Sequence, residues 1–335
     1  MRGKRVLEQD NMAMSIDTMK AAAIDRFGGP DELTLHTLSI PNIGPDEVLI
    51  RVDTAGVGAW DPWVREGEFA KMRGEKPLFP YVLGAEGSGT IVELGKRVKR
   101  FREGDKVYGY NALSTKNGFY AEYTVLKADE IAPLPQGLSL EAGGAMPADA
   151  ITALCGLEIL RLQPGESVVV FGASGGIGHI ALQLAKRMET RVLAVASGED
   201  GVKLARTLGA DAAVDGHAGG VRNAARDFAP EGIDAALVTA GGDGLNEVLG
   251  ALRAGARVAY PNGVEPEPEH RSGLNMQGYD GRATPELFER LNHWIEAGPF
   301  TVCVAGTYPL DRAAEAHRAL DKHHVGKLAL KASPS

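Results

Sequence analysis

The chain has 335 residues and a mass of 35.4 kDa, enough for two domains with their own cores, and 44% hydrophobic with 24% charged residues is the make-up of an ordinary globular protein. A formal net charge of −8 leaves no basic field to hold a nucleic acid, and no apolar run approaches the roughly 20 residues that span a bilayer, so neither nucleic acid nor membrane is an expected partner. Two cysteines, Cys155 and Cys303, supply neither a disulfide framework nor a four-cysteine zinc site, which points to a reducing, cytoplasmic compartment.

Residues 1–18 mix charges of both signs without an apolar segment, so they read as a flexible leader and not as a secretory signal. From Met19 to about Lys127, short apolar segments are separated by Gly, Pro and Asp turns. They fall at Met19–Ile24, Leu33–Ile40, Glu47–Val52, Gly89–Glu93, Lys106–Tyr108 and Tyr120–Leu126, the spacing of an antiparallel β domain. After the Pro164-Gly165 turn the pattern changes. Ser167–Phe171 is apolar on both faces, as in a strand buried within a parallel sheet. Ile177, Ile180, Ala181, Leu184, Ala185 and Met188 then form one stripe of a helix, and Arg191–Ala196 returns as a strand. The alternation continues through a helix around Val202–Leu208, strand-like Ala212–Val214, the buried run Ile233–Thr239, a helix near Leu245–Leu252 and Arg257–Tyr260. Such alternation marks a doubly wound α/β unit. An amphipathic helix from Thr284-Pro285-Glu286, a helix over Asp311–Leu320 and a closing strand Lys327–Leu330 complete the chain.

Gly172-Ala173-Ser174-Gly175-Gly176-Ile177-Gly178 lies between the buried strand and the amphipathic helix. Small residues in that setting let the backbone approach a pyrophosphate, and the helix N-terminus offers free N–H groups with a partial positive charge. The same string fits the short-chain dehydrogenase spacing, but the one Tyr-x-x-x-Lys, Tyr123 to Lys127, precedes it instead of following it. A P-loop fails because no Gly-Lys-Ser/Thr closes the turn. The next strand ends Val195-Ala196-Ser197-Gly198 without the carboxylate that usually holds an NAD ribose. A 2′-phosphate is not repelled there, and Ser197 can donate to it. NADPH is the expected cofactor, with Glu199 and Asp200 close behind acting against it.

Gly84-Ala85-Glu86-Gly87-Ser88-Gly89, running on to Gly95 and Val98, reads as G-x-E-x-x-G with its downstream Gly and Val. With Ala55-Gly56-Val57, Val64-Arg65-Glu66-Gly67, Gly104-Asp105-Lys106-Val107, Tyr120-Ala121-Glu122-Tyr123, the glycine loop, Leu208-Gly209-Ala210-Asp211 and Gly326-Lys327, the chain from Met19 onward resembles the quinone oxidoreductase, zeta-crystallin-like branch of the medium-chain dehydrogenase/reductases. The resemblance implies a GroES-like antiparallel β domain over 19–140 and a Rossmann doubly wound parallel sheet over 141–278. It assigns 279–335 to completing the catalytic domain. It also implies NADPH in the cleft, with Thr152 among its contacts, and a homodimer or homotetramer; where many relatives carry a Lys for the 2′-phosphate this chain has Gly201, and Lys203, two residues on, is the candidate in its place.

The departures bear on chemistry. Where zinc members place Cys and His ligands this chain has Gly58 and Ala85, so no metal is expected, since a catalytic zinc needs three protein ligands. Cys155 reads as a small buried apolar residue, and His323-His324 as a solvated pair. Zinc-free relatives often carry Asn and Tyr where Gly58 and Trp63 stand, which leaves the pocket apolar. Trp60, Trp63 and Phe69 are its candidate walls, or else barrel core. Asp61 is the candidate to orient substrate or water, or else a turn residue before Pro62. The expected function is zinc-independent hydride transfer from NADPH to a quinone or an activated C=C bond. The alternatives are a 2-enoyl or alkenal reductase and, from another class, a low-turnover NADPH-binding redox sensor or structural protein.

Overall fold

Short strands separated by turns fold, in the computed structural model, into a three-stranded and a seven-stranded sheet that accompany a six-stranded parallel sheet; the structure describes residues 18–74, 76–111, 117–242 and 244–332. The leader expected at 1–18 lies outside the described residues except for Thr18, which opens β1 (Thr18–Ile24). The N-terminal half continues with β2 (Thr34–Ser39), β3 (Glu47–Val57), the short helices α1 (Asp61–Glu66) and α2 (Glu68–Arg73), β4 (Tyr81–Val82), β5 (Glu86–Leu94), β6 (Lys106–Tyr110), β7 (Tyr123–Lys127) and β8 (Ile131–Pro133). Helices α3 (Leu140–Ala145) and α4 (Pro147–Leu160) lead into the second half.

There the alternation read from the sequence is realised as β9 (Ser167–Phe171), α5 (Gly176–Arg187), β10 (Arg191–Ala196), α6 (Gly198–Thr207), β11 (Ala212–Asp215), α7 (Val221–Phe228), β12 (Ile233–Val238), α8 (Leu245–Leu249), β13 (Leu252–Pro261) and β14 (Asn275–Tyr279). The chain ends with α9 (Pro285–Glu296), β15 (Val304–Pro309), α10 (Ala313–Ala319) and β16 (Lys327–Lys331).

The parallel sheet runs β11-β10-β9-β12-β13-β14, with β9 central, so the glycine loop leaves the sheet beside the point where strand order reverses. The larger antiparallel sheet runs β15-β16-β3-β5-β6-β8, with β7 also on β3; within it β15 and β16 are parallel. The fold is therefore the α/β one expected, a Rossmann unit beside a GroES-like β domain. The C-terminal segment divides between the two. Phe288, Leu291 and Ile295 of α9 join the core formed by α4, α5 and the parallel sheet, whereas Leu328 and Leu330 of β16 join the barrel core.

Register places the site. Gly87 opposes Ala55 and Leu328 opposes Val57, so Gly56, Glu86 and Tyr110, together with the start of β16, meet at one end of the sheet. Glu86 and Tyr110 are direct cross-strand partners and share a face. That end abuts the first turn of α4, whose Ala148 N–H donates to Glu86 Oε2 at 2.7 Å. The same crossing carries Gly326 onto the glycine loop, where its N–H donates to Ser174 O at 2.8 Å.

Candidate active site

Gly172 leaves β9 with φ +85°, a conformation open to glycine, and a Cβ there would meet Thr239 Oγ1 at 2.6 Å. A Cβ on Gly178 would overlap Gly172 O, so α5 approaches the strand as closely as backbone allows. Ala173 and Ser174 are buried. Ser174 Oγ accepts from Ser197 N–H at 3.0 Å, tying the loop to the end of β10. Buried His179 pins the loop from behind. Its Nε2 accepts from Cys303 N–H at 3.1 Å, so the proton sits on Nδ1 and is donated to Gly175 O at 2.8 Å. Burial lowers the pKa of this imidazole and keeps it neutral.

The first-turn N–H groups of Gly176, Ile177 and Gly178 have no intrahelical acceptor. A Cβ on Gly175 would find only Gly172 O, at 3.5 Å, so the space in front of that residue is open. Free donors beside an open glycine face fit a dinucleotide pyrophosphate.

Beside the loop lies a charge cluster that sequence reasoning missed. Lys327 Nζ is 2.7 Å from Glu86 Oε1 and 2.9 Å from Asp149 Oδ2, and all three residues are buried. Among the described residues neither oxygen has a partner other than this ammonium. Burial, followed by Asp149, pushes the Glu86 carboxyl up to about 7, with Lys327 pulling the other way. Burial also works against the Lys327 charge, but Asp149 and Glu86 prevail and hold its pKa above the usual lysine value.

The indole of Trp60 covers this ammonium, with Nζ 4.7 Å from the ring centroid, and lies against Gly58, where a Cβ would fall 2.5 Å from Cε2. A cysteine at 58 therefore has no room, and Ala85 offers no donor. The residues present do not fit a catalytic zinc. Among the described residues no group of three His, Cys, Asp or Glu is placed to hold a metal ion.

Asp61 begins α1 and is 2% exposed. Its Oδ2 accepts from Gly58 N–H at 2.8 Å and from the Tyr120 hydroxyl at 2.7 Å. Behind Tyr120, Arg65 donates to His317 Nδ1 at 2.8 Å, which leaves the imidazole proton on Nε2, 3.2 Å from the Tyr120 oxygen. Burial, helped by Arg65, drives the His317 pKa down to about 3, so the ring is neutral. The turn-residue role of Asp61 is thus realised, and its carboxylate organises the segment around Gly58.

Burial raises the Asp61 carboxyl from 3.8 to about 6, against its hydrogen bonds. A raised carboxyl contributes stability that is complete below the unfolded pKa and lost as pH rises through the folded one. Asp61→Asn keeps an acceptor for Gly58 and Tyr120. The free-energy difference between variant and wild type should move in the variant's favour by roughly 2–2.5 kcal/mol from pH 4 to pH 8, at about 1.36 kcal/mol per unit. Urea unfolding at several pH values measures it, and parallel curves would show Asp61 titrating normally.

Of the candidate walls, Trp63 is 42% exposed and stands beside Gly263, which follows β13. Trp60 and Phe69 pack against barrel core, the latter under the Arg73 guanidinium. Thr152 lies on α4 with Oγ1 toward Gly281 and its carbonyl accepting from Tyr279. Ser197 caps α6 without a side-chain capping bond, and Lys203 is exposed on the same helix. His323 is exposed, as expected of a solvated pair, and its Nε2 lies 3.0 Å from both oxygens of exposed Asp200, at the start of α6.

Two family models match, the alcohol dehydrogenase GroES-like domain over residues 44–136 and the zinc-binding dehydrogenase over 176–278. Quinone oxidoreductase of Mus musculus is 31% identical over 332 residues, covering 94% of this chain and 98% of that protein. The chain belongs to the quinone oxidoreductase branch of the medium-chain dehydrogenase/reductases. An NADPH-dependent alkenal/one oxidoreductase of Arabidopsis thaliana is 30% identical, covering 92% of this chain and 78% of that one. A solved structure described as an NAD-dependent alcohol dehydrogenase matches with a TM-score of 0.84 at 30% identity, covering 94% of this chain and all of that one. Membership makes this chain an oxidoreductase using a nicotinamide cofactor on a small molecule. No described helix is long and apolar enough to cross a membrane.

Proposed function

We propose that this oxidoreductase works without zinc and passes hydride from NADPH to a quinone or an activated C=C bond. The observation that carries the reading is the packing at Gly58: an intact glycine loop stands beside a metal position filled by the Trp60 indole and the buried ammonium of Lys327. Electron-poor acceptors need orientation more than a Lewis acid, and orientation alone reaches effective molarities of order 10⁵–10⁸ M. The bound nicotinamide supplies the hydride. Gly175, Gly176, Ile177 and Gly178 hold its pyrophosphate, Trp63 borders the acceptor side, and Asp61 is a positioning residue through Gly58 and Tyr120. The alkenal reductase reading shares this chemistry and draws support from the Arabidopsis relative. A cytoplasmic dimer or tetramer completes the proposal, and the parallel sheet ends at β14 with an edge available for pairing.

NADPH oxidation is measured against quinones, enones and alcohol–aldehyde pairs, with and without a chelator. Turnover confined to alcohols, or zinc lost together with activity, would sink the reading.

The preference for NADPH is read at the end of β10. Ala196 is 4% exposed and packs against Gly201, so Ser197 is the better place to introduce a carboxylate. Ser197→Asp should weaken NADPH at least about tenfold with little change for NADH, because a charge-assisted bond of roughly 1.5–3 kcal/mol is replaced by repulsion. Equal wild-type affinities, or an unmoved ratio in the variant, would show that the phosphate is not read here.

A further inference from the structure

The cofactor loop has a carboxylate standing against it. A Cβ on Gly176, the first residue of α5, would overlap Asp149 Oδ2, so that oxygen lies in contact with the turn where a pyrophosphate would be held. The same oxygen is 2.9 Å from Lys327 Nζ. The residue before Lys327 is bonded to the loop backbone, Gly326 to Ser174, and forms a bridge with Gly175. Lys327 is therefore a cation beside the cradle, with Glu86 on one side, Asp149 on the other and Trp60 over it. Lys327 neutralises one carboxylate, so whenever Glu86 is ionised the cluster carries one excess negative charge beside the cradle. The anion that binds next to it is a dianion.

We propose that Asp149 sets the affinity of the glycine loop for its dinucleotide, its carboxylate engaging Lys327 on the side toward the loop so that the pyrophosphate must compete with it for that cation. The proposal rests on the nicotinamide-cofactor reading above. A carboxylate in the first turn of a helix has an ordinary use, complementing the dipole of α4, and that use alone would leave cofactor affinity untouched. The position of Asp149 differs from that ordinary case in two respects: it is buried, and it faces the N-terminus of a second helix, α5, which is the anion-binding end.

Asp149→Asn keeps the shape and an oxygen for Lys327 while leaving Glu86 and Lys327 as a neutral pair. It should tighten both NADPH and NADH by at least about tenfold without changing their ratio, since one like charge is removed from beside a dianion at the effective dielectric of a protein site. Dissociation constants come from nicotinamide fluorescence titration and calorimetry on the full chain, with thermal unfolding as a check on folding. Asp149→Ala tests the same charge without an isostere and should tighten binding in the same direction. Unchanged or weaker binding in both variants, with folding retained, overturns the proposal and leaves Asp149 as a helix-dipole residue. Failure of wild type to bind either dinucleotide would overturn the cofactor reading itself, a separate outcome.

Discussion

Replacing Lys327 with Met is expected to lower the thermal midpoint by roughly 5–10 °C, with a penalty that grows with pH. The ammonium is the shared partner of Glu86 and Asp149 in a buried site, and removing it leaves two carboxylates facing each other across a cavity. Breaking a buried ion pair from one side costs about 3–5 kcal/mol, and in a chain of this length each kcal/mol moves the midpoint by no more than about 2–4 °C. The pH trend follows from Glu86. Its carboxyl already sits near 7, and without Lys327 it rises further, so at low pH it is protonated and the damage is limited. As pH rises, the native state must either ionise it in a dry site or hold a proton the unfolded chain releases, and stability falls. Glu86→Gln in the Lys327→Met background should recover a large part of the loss. Midpoints that coincide with wild type at pH 8 would mean that the cluster is open to water and not closed as the structure has it.

That cluster also shows where the sequence was legible and where it was not. The parallel sheet and glycine loop could be read because β9 is apolar on both faces and α5 carries one apolar stripe, two periods that differ. Helix α4 escaped the same reading because it is buried nearly all round, so its apolar residues show no stripe. Asp149 sits on that helix, and its one signal was a lone charge inside the apolar stretch Met146–Leu154. Glu86 and Lys327 each lay within recognised motifs, but their pairing depends on β16 docking against β3 and on α4 crossing the end of β5, contacts between distant segments. His317 was missed for a similar reason. It lies with Ala313 and Ala316 on the buried side of α10, a helix position that reads as core until Arg65 and Tyr120 are brought to it. The aromatic residues after β3 were left open between pocket and core; in the structure Trp60 and Phe69 pack against the barrel core, whereas Trp63 is exposed.

Two neighbouring glycines should separate cofactor binding from folding. Gly175 has extended backbone, φ −79° and ψ −178°, that alanine adopts freely, and an added methyl meets only Gly172 O at ordinary contact distance. Gly175→Ala should therefore fold with an unchanged thermal midpoint. Its methyl projects into the space through which a pyrophosphate reaches the first-turn N–H groups of α5, and close backbone approach is what the glycines of such a loop provide. Dinucleotide affinity should fall by roughly one to two decades, about 1.4–2.7 kcal/mol. At Gly176 the same methyl meets Asp149 Oδ2 as well, so Gly176→Ala must push a buried carboxylate away from Lys327. That variant should lose both cofactor binding and several kcal/mol of stability, since it disturbs a buried ion pair. Gly176→Asp adds a charge at the anion site and should abolish binding altogether. Calorimetric titration with NADPH and parallel thermal melts test the contrast. If Gly175→Ala binds as wild type does, the pyrophosphate does not lie over this turn; if Gly176→Ala melts as wild type does, Asp149 does not press against it.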